Sequence, residues 1–482
     1  SGDIASRKAL FLQGFSFFYA DLRSRKFHIQ LYICKNSRRR VMAMLSVHVL
    51  GEGERVPMLH DEQGVPLFYP TLFATSQLRN AGAAVNTIRN KLADIVVLLR
   101  WEQANGRDLI TEFRSGRLLT VSDIVSLRDF AKLDMRELSS VGEGDKKRSV
   151  VIDFLEARVA SNQVLATIGG QQHFNRISTF ADYLEFTASV VTQHQNSSRT
   201  AQEIARMART IRKHRPRGLA KQRDDDLDLR SPPSELVERF MAIGTEGDPR
   251  NPFRHPEVQL RNAIIFGLLR HTGMRRGELL SLRLDQFDLG HEPHVWVRRN
   301  QDDKHDPRPY QPVTKTKERP LPIPEALANQ IDRYMLNVRS RIGPARRHPY
   351  LLVSHRKGDT WGKPLSTSAL SSQIFSRMRA VDPAFEAIHP HAFRHHFNYE
   401  LSVSIDKHNA KIRSGEDAEA LPFSEARELD VRAFLNGHRS RASGATYNRR
   451  HIREASDKAA RQVQAAHPKR SDNSKGGGGD SR

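Results

Sequence analysis

The sequence contains a single cysteine, Cys34, among 482 residues. One thiol cannot form an internal disulfide, and it cannot supply the several thiolate ligands of a zinc finger or zinc ribbon. This composition favours a reducing compartment, and we expect a cytoplasmic, bacterial nucleoid-associated protein. The sequence also lacks any run of about 18 apolar residues, so it predicts no membrane-spanning helix and no membrane partner.

Positive charge is what the chain has in excess. Lysine and arginine number 77 against 55 acidic residues, which gives a net charge of +22 and a pI near 10.3. Basic side chains that neutralise phosphates release condensed counterions, so this charge predicts a nucleic-acid partner. The excess is spread along the chain, which favours a large binding surface; a surface that is basic only for solubility is the alternative.

The first 66 residues are predicted to be a β-rich or arm-like region. Two β-rich runs, at 27–33 and 41–50, flank the basic segment "CKNSRRR", and this pattern is typical of a β-hairpin. The connecting segment carries three candidate DNA contacts, with an ordinary solvated loop as the alternative reading: Arg38, Arg39 and Arg40.

Residues 67–214 are predicted to form a helical, DNA-binding domain. Four apolar residues recur at spacings of four, three and four and would face a core: Ile88, Leu92, Ile95 and Leu99. Thr120 begins a segment suited to helix capping, and 174–191 reads as a further helix. A basic helix then ends near Arg212 and Lys213, which are candidate DNA contacts. A charged, proline-containing linker follows at 215–235.

The segment 236–466 is predicted to be a mixed α/β domain with a small antiparallel sheet, followed by a disordered tail at 467–482. An apolar helix stops at Thr272-Gly273, so Arg275 falls at the start of a second short helix. Strand-like segments lie near 294–300 and 318–323, with a lysine-bearing turn between them. The whole chain is thus predicted to be multidomain and mainly α.

The stretch "HPHAFRHHF" reads as a helix that begins at Pro390 and runs through Tyr399. One stripe of this helix carries polar side chains that we expect to face away from the core: His391, Arg394, His395 and Asn398. His391 and His395 have the four-residue spacing of a helical zinc site. The glutamate of the His-Glu-x-x-His metalloproteases is missing, however, so we predict no metal.

Taken in order, these residues resemble the catalytic domain of the tyrosine recombinases, the phage integrase family. "TGMRRGELLSL" is similar to its first arginine box, "HPHAFRHHF" to its His-x-x-Arg box and "GHRSRASGATY" to its terminal His-to-Tyr box. The resemblance covers about 240–455, and the preceding helices resemble the family's core-binding domain. The matching positions are Arg275, Lys315, His391, Arg394, His438 and Tyr447.

The resemblance implies DNA cleavage without a cofactor. Tyr447 would attack the scissile phosphate and form a 3′-phosphotyrosyl link, while Arg275 and Arg394 would clamp the phosphoryl oxygens. Lys315 would protonate the leaving 5′-oxygen; Lys317 is the second candidate for this role, and we favour Lys315 from its "TKT" context. His391 would assist proton transfer and His438 would hydrogen-bond the phosphate. Glu278 and His395 would support the site without reacting.

One departure from the family pattern stands out. Between Arg394 and His438 lie 43 residues, more than the family's usual spacing, and the extra material falls near 404–423. This insertion is expected to be a surface loop, with a DNA or protein contact as the alternatives.

The implied function is site-specific recombination for integration or excision of a phage or mobile element. The partners would be double-stranded recombination sites, a homotetramer on two sites, and accessory DNA-bending or element-encoded proteins. A telomere resolvase, a type IB-like topoisomerase and a non-catalytic DNA-binding protein are the alternatives.

Overall fold

The computed structural model describes residues 43–135, 166–195, 198–218, 231–416, 420–438, 454 and 456–462. The expected strand at 27–33, the three arginines Arg38, Arg39 and Arg40, the tail at 467–482 and the candidate nucleophile Tyr447 lie outside these residues. The chain divides into two compact units, which are described separately. The first includes the described residues at 43–48 and 56–218, and the second includes 49–55 and those from 231 onward.

A two-stranded sheet opens the described chain. Strand β1 (Met44–Val49) lies within the predicted β-rich run at 41–50, and its partner in this sheet is β2 (Arg55–His60). The sequence had not indicated β2. The turn between them is tight, with Gly53 at φ 88°, a left-handed backbone conformation that glycine adopts without strain.

The other described residues of the first unit are mainly helical, as predicted. Its helices are α1 (Phe68–Phe73), α2 (Val85–Ala104), α3 (Leu109–Arg114), α4 (Val121–Phe130), α5 (Gly170–Val191) and α6 (Ser198–Lys213). The expected apolar stripe on α2 contributes Ile88, Leu92 and Ile95 to the buried core. Thr120 caps α4 as expected, because its hydroxyl accepts from the amide of Asp123 at 3.3 Å.

The second unit combines helices with a three-stranded antiparallel sheet. The strands β3 (Phe287–Asp288), β4 (His294–Val297) and β5 (Arg319–Pro322) lie in the order β3-β4-β5. Val295 is opposite Leu321 across the central pair. The helices are α7 (Ser234–Ile243), α8 (Pro256–Thr272), α9 (Arg276–Leu280), α10 (Glu325–Arg333), α11 (Ser376–Arg379), α12 (Pro390–Ser414) and α13 (Glu425–Asn436). Short π-helical segments continue α10 and precede α11.

Helix α8 lies at the centre of this unit and is apolar on nearly every side. Phe266 of this helix forms edge-to-face pairs with rings packed against it, and these rings also pair with one another: Phe240, Phe375, Phe385 and Phe393. The helix ends at Gly273, which has φ 59°. A Cβ at Gly273 would also lie 2.5 Å from Cδ1 of Phe397, so both backbone conformation and space require glycine there.

Two features of α12 differ from the expectations. Residues 404–414 of the supposed surface insertion are a continuation of this helix rather than a loop. The polar stripe expected to face away from the core is mostly buried, because Arg394 and Asn398 are fully covered and His395 is 8% exposed. Tertiary packing against α8 and α13 encloses this polar face, and local periodicity cannot reveal such packing. His391 remains exposed.

Among the described helices, none combines the length and the apolar composition that crossing a bilayer requires.

Candidate active site

Two arginines from separate parts of the second unit meet at one backbone oxygen. Arg275 lies immediately before α9, and Arg394 lies in the second turn of α12. Nη1 of Arg275 and Nη2 of Arg394 donate to the carbonyl oxygen of Asn436, the last residue of α13, at 3.3 and 2.8 Å. The negative end of the α13 dipole therefore gathers both cations at one point. The side chain of Arg275 is 35% exposed, whereas Arg394 is fully buried.

His438 lies beside this pair. Gly437 ends α13 with φ 63°, and the amide of His438 then donates to the carbonyl of Ala433 at 2.8 Å. This turn brings Nε2 of His438 to 3.2 Å from Nη2 of Arg394. Because a guanidinium can only donate, Nε2 must accept, and the neutral ring carries its proton on Nδ1. Burial, helped by Arg394 and the other nearby arginines, lowers the pKa of His438 to about 4.

Glu278 fixes the segment that carries Arg275. Its carboxylate is 1% exposed and accepts from the Arg275 amide at 3.0 Å and from the Thr316 hydroxyl at 2.6 Å. It also forms an ion pair with Arg319 at 3.0 Å. Burial alone would raise the pKa of Glu278, but the Arg319 charge and these hydrogen bonds outweigh burial and lower it. Glu278 is therefore an anion at neutral pH.

The lysine-bearing turn is attached to the same framework through its backbone and its threonines. The Lys317 amide donates to the carbonyl of Gly437 at 3.2 Å, and the hydroxyl of Thr314 lies 3.2 Å from that of Ser281. Arg319, on β5, donates from Nε to the carbonyl of Leu435 at 2.7 Å. Both lysine side chains, Lys315 and Lys317, are exposed. The structure thus fixes the turn beside His438 while leaving both candidate lysines accessible.

The remaining histidines of α12 have separate surroundings. His391 lies in the first turn of the helix, and its ring is 4.7 Å from that of His395. His389 caps the helix, because its Nδ1 accepts from the Ala392 amide at 3.2 Å. The described residues contain no group of three or more histidine, cysteine or acidic side chains that could hold a metal ion.

The candidate DNA contacts of the first unit lie at the end of α6. Arg212 forms ion pairs with Asp182 and Glu185 of α5, at 2.9 and 2.7 Å, so its charge already has partners within the helical unit. Contacts of Arg212 and Lys213 with DNA stay predictions, as do those of the arginines outside the described residues.

Sequence reasoning placed Asn398 on the polar stripe of α12 but missed its role in organising the site, and it missed four further residues altogether: Thr316, Arg319, Arg432 and Asn436. A signal was present for one of them. Arg319 precedes Leu321 by two residues on a strand, so both side chains lie on the same, inward face. For the two asparagines and Arg432 the partners lie more than 30 residues apart, and no local pattern connects them.

Comparisons with known proteins identify the relatives of this chain. Residues 250–406 match the phage integrase family. The chain is 27% identical over 264 residues to the tyrosine recombinase XerC of Alcanivorax borkumensis, covering 52% of this chain and 73% of XerC. It is 25% identical over 172 residues to the tyrosine recombinase XerD of Halalkalibacterium halodurans, covering 36% of this chain and 49% of XerD.

Solved structures of related recombinases are similar as well. The XerH site-specific recombinase bound to a palindromic difH substrate gives a TM-score of 0.38 at 13% identity, covering 82% of this chain and 94% of XerH. The XerA recombinase gives 0.30 at 16% identity, covering 69% and 97% of the two chains. Residues 250–406 therefore carry a phage integrase family domain, and about half of the chain is similar in sequence to a tyrosine recombinase.

Proposed function

We propose that this recombinase cleaves and rejoins DNA through a 3′-phosphotyrosyl intermediate, with Tyr447 as the nucleophile. The observation that carries the proposal is the convergence of Arg275 and Arg394 on the Asn436 carbonyl, next to His438. Two guanidiniums at one point are suited to the non-bridging oxygens of a phosphodiester, whose charge grows in the transition state.

The charge balance of this cluster favours an anionic substrate. Arg275, Arg319 and Arg394 place three positive charges around the single negative charge of Glu278. A phosphodiester would supply a further negative charge where the arginines meet. Arg275 is the more exposed of the two clamping residues, so the phosphate would reach it first. Contact with Arg394 requires displacement of the groups that cover it in this structure.

The proton transfers are assigned to His391 and Lys315, both of which are exposed. The Tyr447 oxygen would form a bond to phosphorus as its proton passes to His391, and the bond to the 5′-oxygen would break as Lys315 donates a proton. Neutral His438 would leave Arg394 and turn to the phosphate, whose negative charge raises the pKa of the imidazole and allows it to donate. The reverse reaction, with a new 5′-hydroxyl, rejoins the strand without ATP because the phosphotyrosyl bond replaces the broken phosphoester bond and retains its energy.

We base the proposed substrate and assembly on the charge of the chain and on its similarity to recombinases. A net charge of +22 suits a clamp around duplex DNA, and XerH is a recombinase whose solved complexes contain its difH substrate. We propose a homotetramer on two recombination sites of a phage or mobile element, with accessory DNA-bending or element-encoded proteins. The same chemistry in a telomere resolvase or a type IB-like topoisomerase would join hairpin ends or relax supercoils instead of exchanging strands between sites.

The test is covalent capture of DNA. A pool of nicked duplexes, randomised at the nick, is incubated with the protein and with chelator, and adducts that survive denaturant are collected. We expect a narrow set of sequences to be captured and exchanged between paired sites, without need of a divalent ion. Failure to capture any duplex would contradict the proposed chemistry; plasmid relaxation without exchange would favour the topoisomerase.

A further inference from the structure

We infer that Asn398 and Arg432 are positioning residues for the arginine clamp, acting through the peptide group of Asn436. The inference rests on the proposed function, because it concerns how the phosphate-binding guanidiniums are aligned. Neither residue contacts the reacting atoms. Both are fully buried, and both form hydrogen bonds that join α12 to α13.

The first connection is a reciprocal amide pair. Nδ2 of Asn398 donates to Oδ1 of Asn436 at 3.1 Å, and Nδ2 of Asn436 donates to Oδ1 of Asn398 at 2.7 Å. The same Nδ2 of Asn398 donates to the carbonyl of Arg394 at 2.8 Å. The side chain of Asn398 is therefore hydrogen-bonded both to Arg394, one turn before it, and to Asn436, whose carbonyl accepts from Arg394.

Arg432 fixes this amide pair from one turn earlier in α13. Its Nη1 donates to both oxygens of Asn398, the carbonyl at 3.0 Å and Oδ1 at 3.1 Å. Its Nη2 donates to the hydroxyl of Ser402 at 2.8 Å and to the carboxylate of Glu428 at 2.7 Å. These directional bonds determine the rotamer of Asn398 and the register of α13 along α12.

The register matters because Asn436 offers one oxygen to two donors. Arg275 reaches that oxygen from the segment before α9 and Arg394 from α12, at 3.3 and 2.8 Å. A small shift or rotation of the last turn of α13 would change both distances, and would also move His438, two residues further on. A network of this kind costs desolvation and is retained where geometry, rather than stability alone, must be held.

The prediction separates alignment from general stability by removing the charge that the clamp must bind. A duplex captured by the unmodified protein is remade with a neutral methylphosphonate at the scissile position. Single-turnover cleavage of the two duplexes is then compared for Asn398→Ala, with Arg394→Ala as the reference for a lost clamp. Ile405→Ala, a buried apolar truncation on the same helix, is the matched control.

We expect Asn398→Ala to slow cleavage of the phosphate duplex by about 10- to 100-fold, the scale of a misalignment near 1 Å. On the methylphosphonate duplex, its rate should come within about threefold of that of the unmodified protein, because misaligned charges matter less there. For each variant we take the ratio of its cleavage rate on the phosphate duplex to its rate on the methylphosphonate duplex. Arg394→Ala should lower this ratio as Asn398→Ala does, and Ile405→Ala should leave it unchanged.

An equal loss on both duplexes, or no loss on the phosphate, would overturn the inference. If Asn398→Ala does not fold, Arg432→Lys is judged by the same ratio, because lysine retains a charge for Glu428 but lacks the planar fork that grips Asn398. Absence of any cleavage by the unmodified protein would instead contradict the proposed function, so the two failures are distinct.

Discussion

Glu278 and Arg319 form a buried ion pair of 3.0 Å in which each side chain is only 1% exposed. The carboxylate of this pair also accepts from the amide of Arg275, and the guanidinium also donates to the last turn of α13. The pair thus joins three elements: the segment before α9, which carries Arg275; strand β5, which follows the lysine-bearing turn; and helix α13, which precedes His438.

Glu278→Gln should strongly destabilise the second unit. The change keeps the shape but leaves the Arg319 charge buried without its counter-ion, a loss that typically costs about 3–5 kcal/mol. Chemical denaturation provides the free energy of unfolding. Glu386→Gln is the control, because Glu386 is 81% exposed and pairs with Arg379 at 3.3 Å on the surface of the same unit. That variant should lose less than about 1 kcal/mol, and equal losses in the two variants would refute the structural role of Glu278.

Gly437→Ala should disable cleavage. Gly437 has φ 63°, and a Cβ there would lie 2.6 Å from Nη1 of Arg319 and 2.7 Å from Cβ of Thr316. We expect strain and overpacking of about 3 kcal/mol and at least a 100-fold slower covalent capture of DNA, since His438 follows directly.

Gly415→Ala is the matched control for this change. Gly415 ends α12 at φ 81°, but among the described residues, its chain neighbours aside, no atom lies within 4 Å of the position its Cβ would take. Its cost should be about 1 kcal/mol from backbone strain alone, with capture unchanged. If Gly437→Ala behaves like Gly415→Ala in both measurements, the packing at Gly437 is unimportant.

The general acid can be identified by changing the leaving group. Lys315→Ala should slow cleavage of ordinary DNA by about 100-fold or more, the scale of lost general acid catalysis. With sulfur in place of the scissile 5′-oxygen the leaving group is a weaker base that needs no proton, so the rate should recover. Lys317→Ala should show little of either effect, although its amide donates to Gly437. The reverse pattern would assign the role to Lys317.

Stability should fall with acid because His438 is buried in its neutral form. The pKa of His438 is about 4 in the fold against 6.5 in the unfolded chain. Between these values the unfolded chain binds a proton that the folded one does not, so stability falls as pH decreases from about 6.5 to about 4.

Replacing this histidine isolates its contribution to the pH dependence. His438→Gln lacks the titrating group but keeps His355, whose pKa burial also lowers, to about 3. Between pH 7 and pH 4 the unmodified protein should therefore lose up to about 3 kcal/mol more of its free energy of unfolding than this variant loses. A constant difference, measured by denaturation at several pH values, would show that His438 is not held neutral.

Much of the second unit could be predicted from local patterns. The break of α8 at Gly273, the position of Arg275 before α9 and the two strand segments that become β4 and β5 can each be recognised from residues within a few positions of one another. Glycine conformation, helix capping and the alternation of apolar and polar residues control these features, and each can be recognised in a short stretch of sequence.

The burial of the polar face of α12 could not be predicted in this way. Arg394 and Asn398 read as solvent-facing because their helix has a separate apolar side at Phe393. Their partners on α13 lie about 40 residues further along, beyond the unrecognised extension of α12. Only the packed structure reveals that the polar face of α12 is also buried and that the carbonyl of Asn436 organises it.

The most direct test of the central claim is to identify the amino acid linked to DNA. A nicked duplex captured by the protein is digested with protease and nuclease, and the residual nucleotide is located by mass spectrometry. The account predicts a phosphotyrosyl bond at Tyr447, and no adduct from Tyr447→Phe despite unchanged DNA binding. A linkage at any other residue, or an adduct formed by Tyr447→Phe, would contradict it.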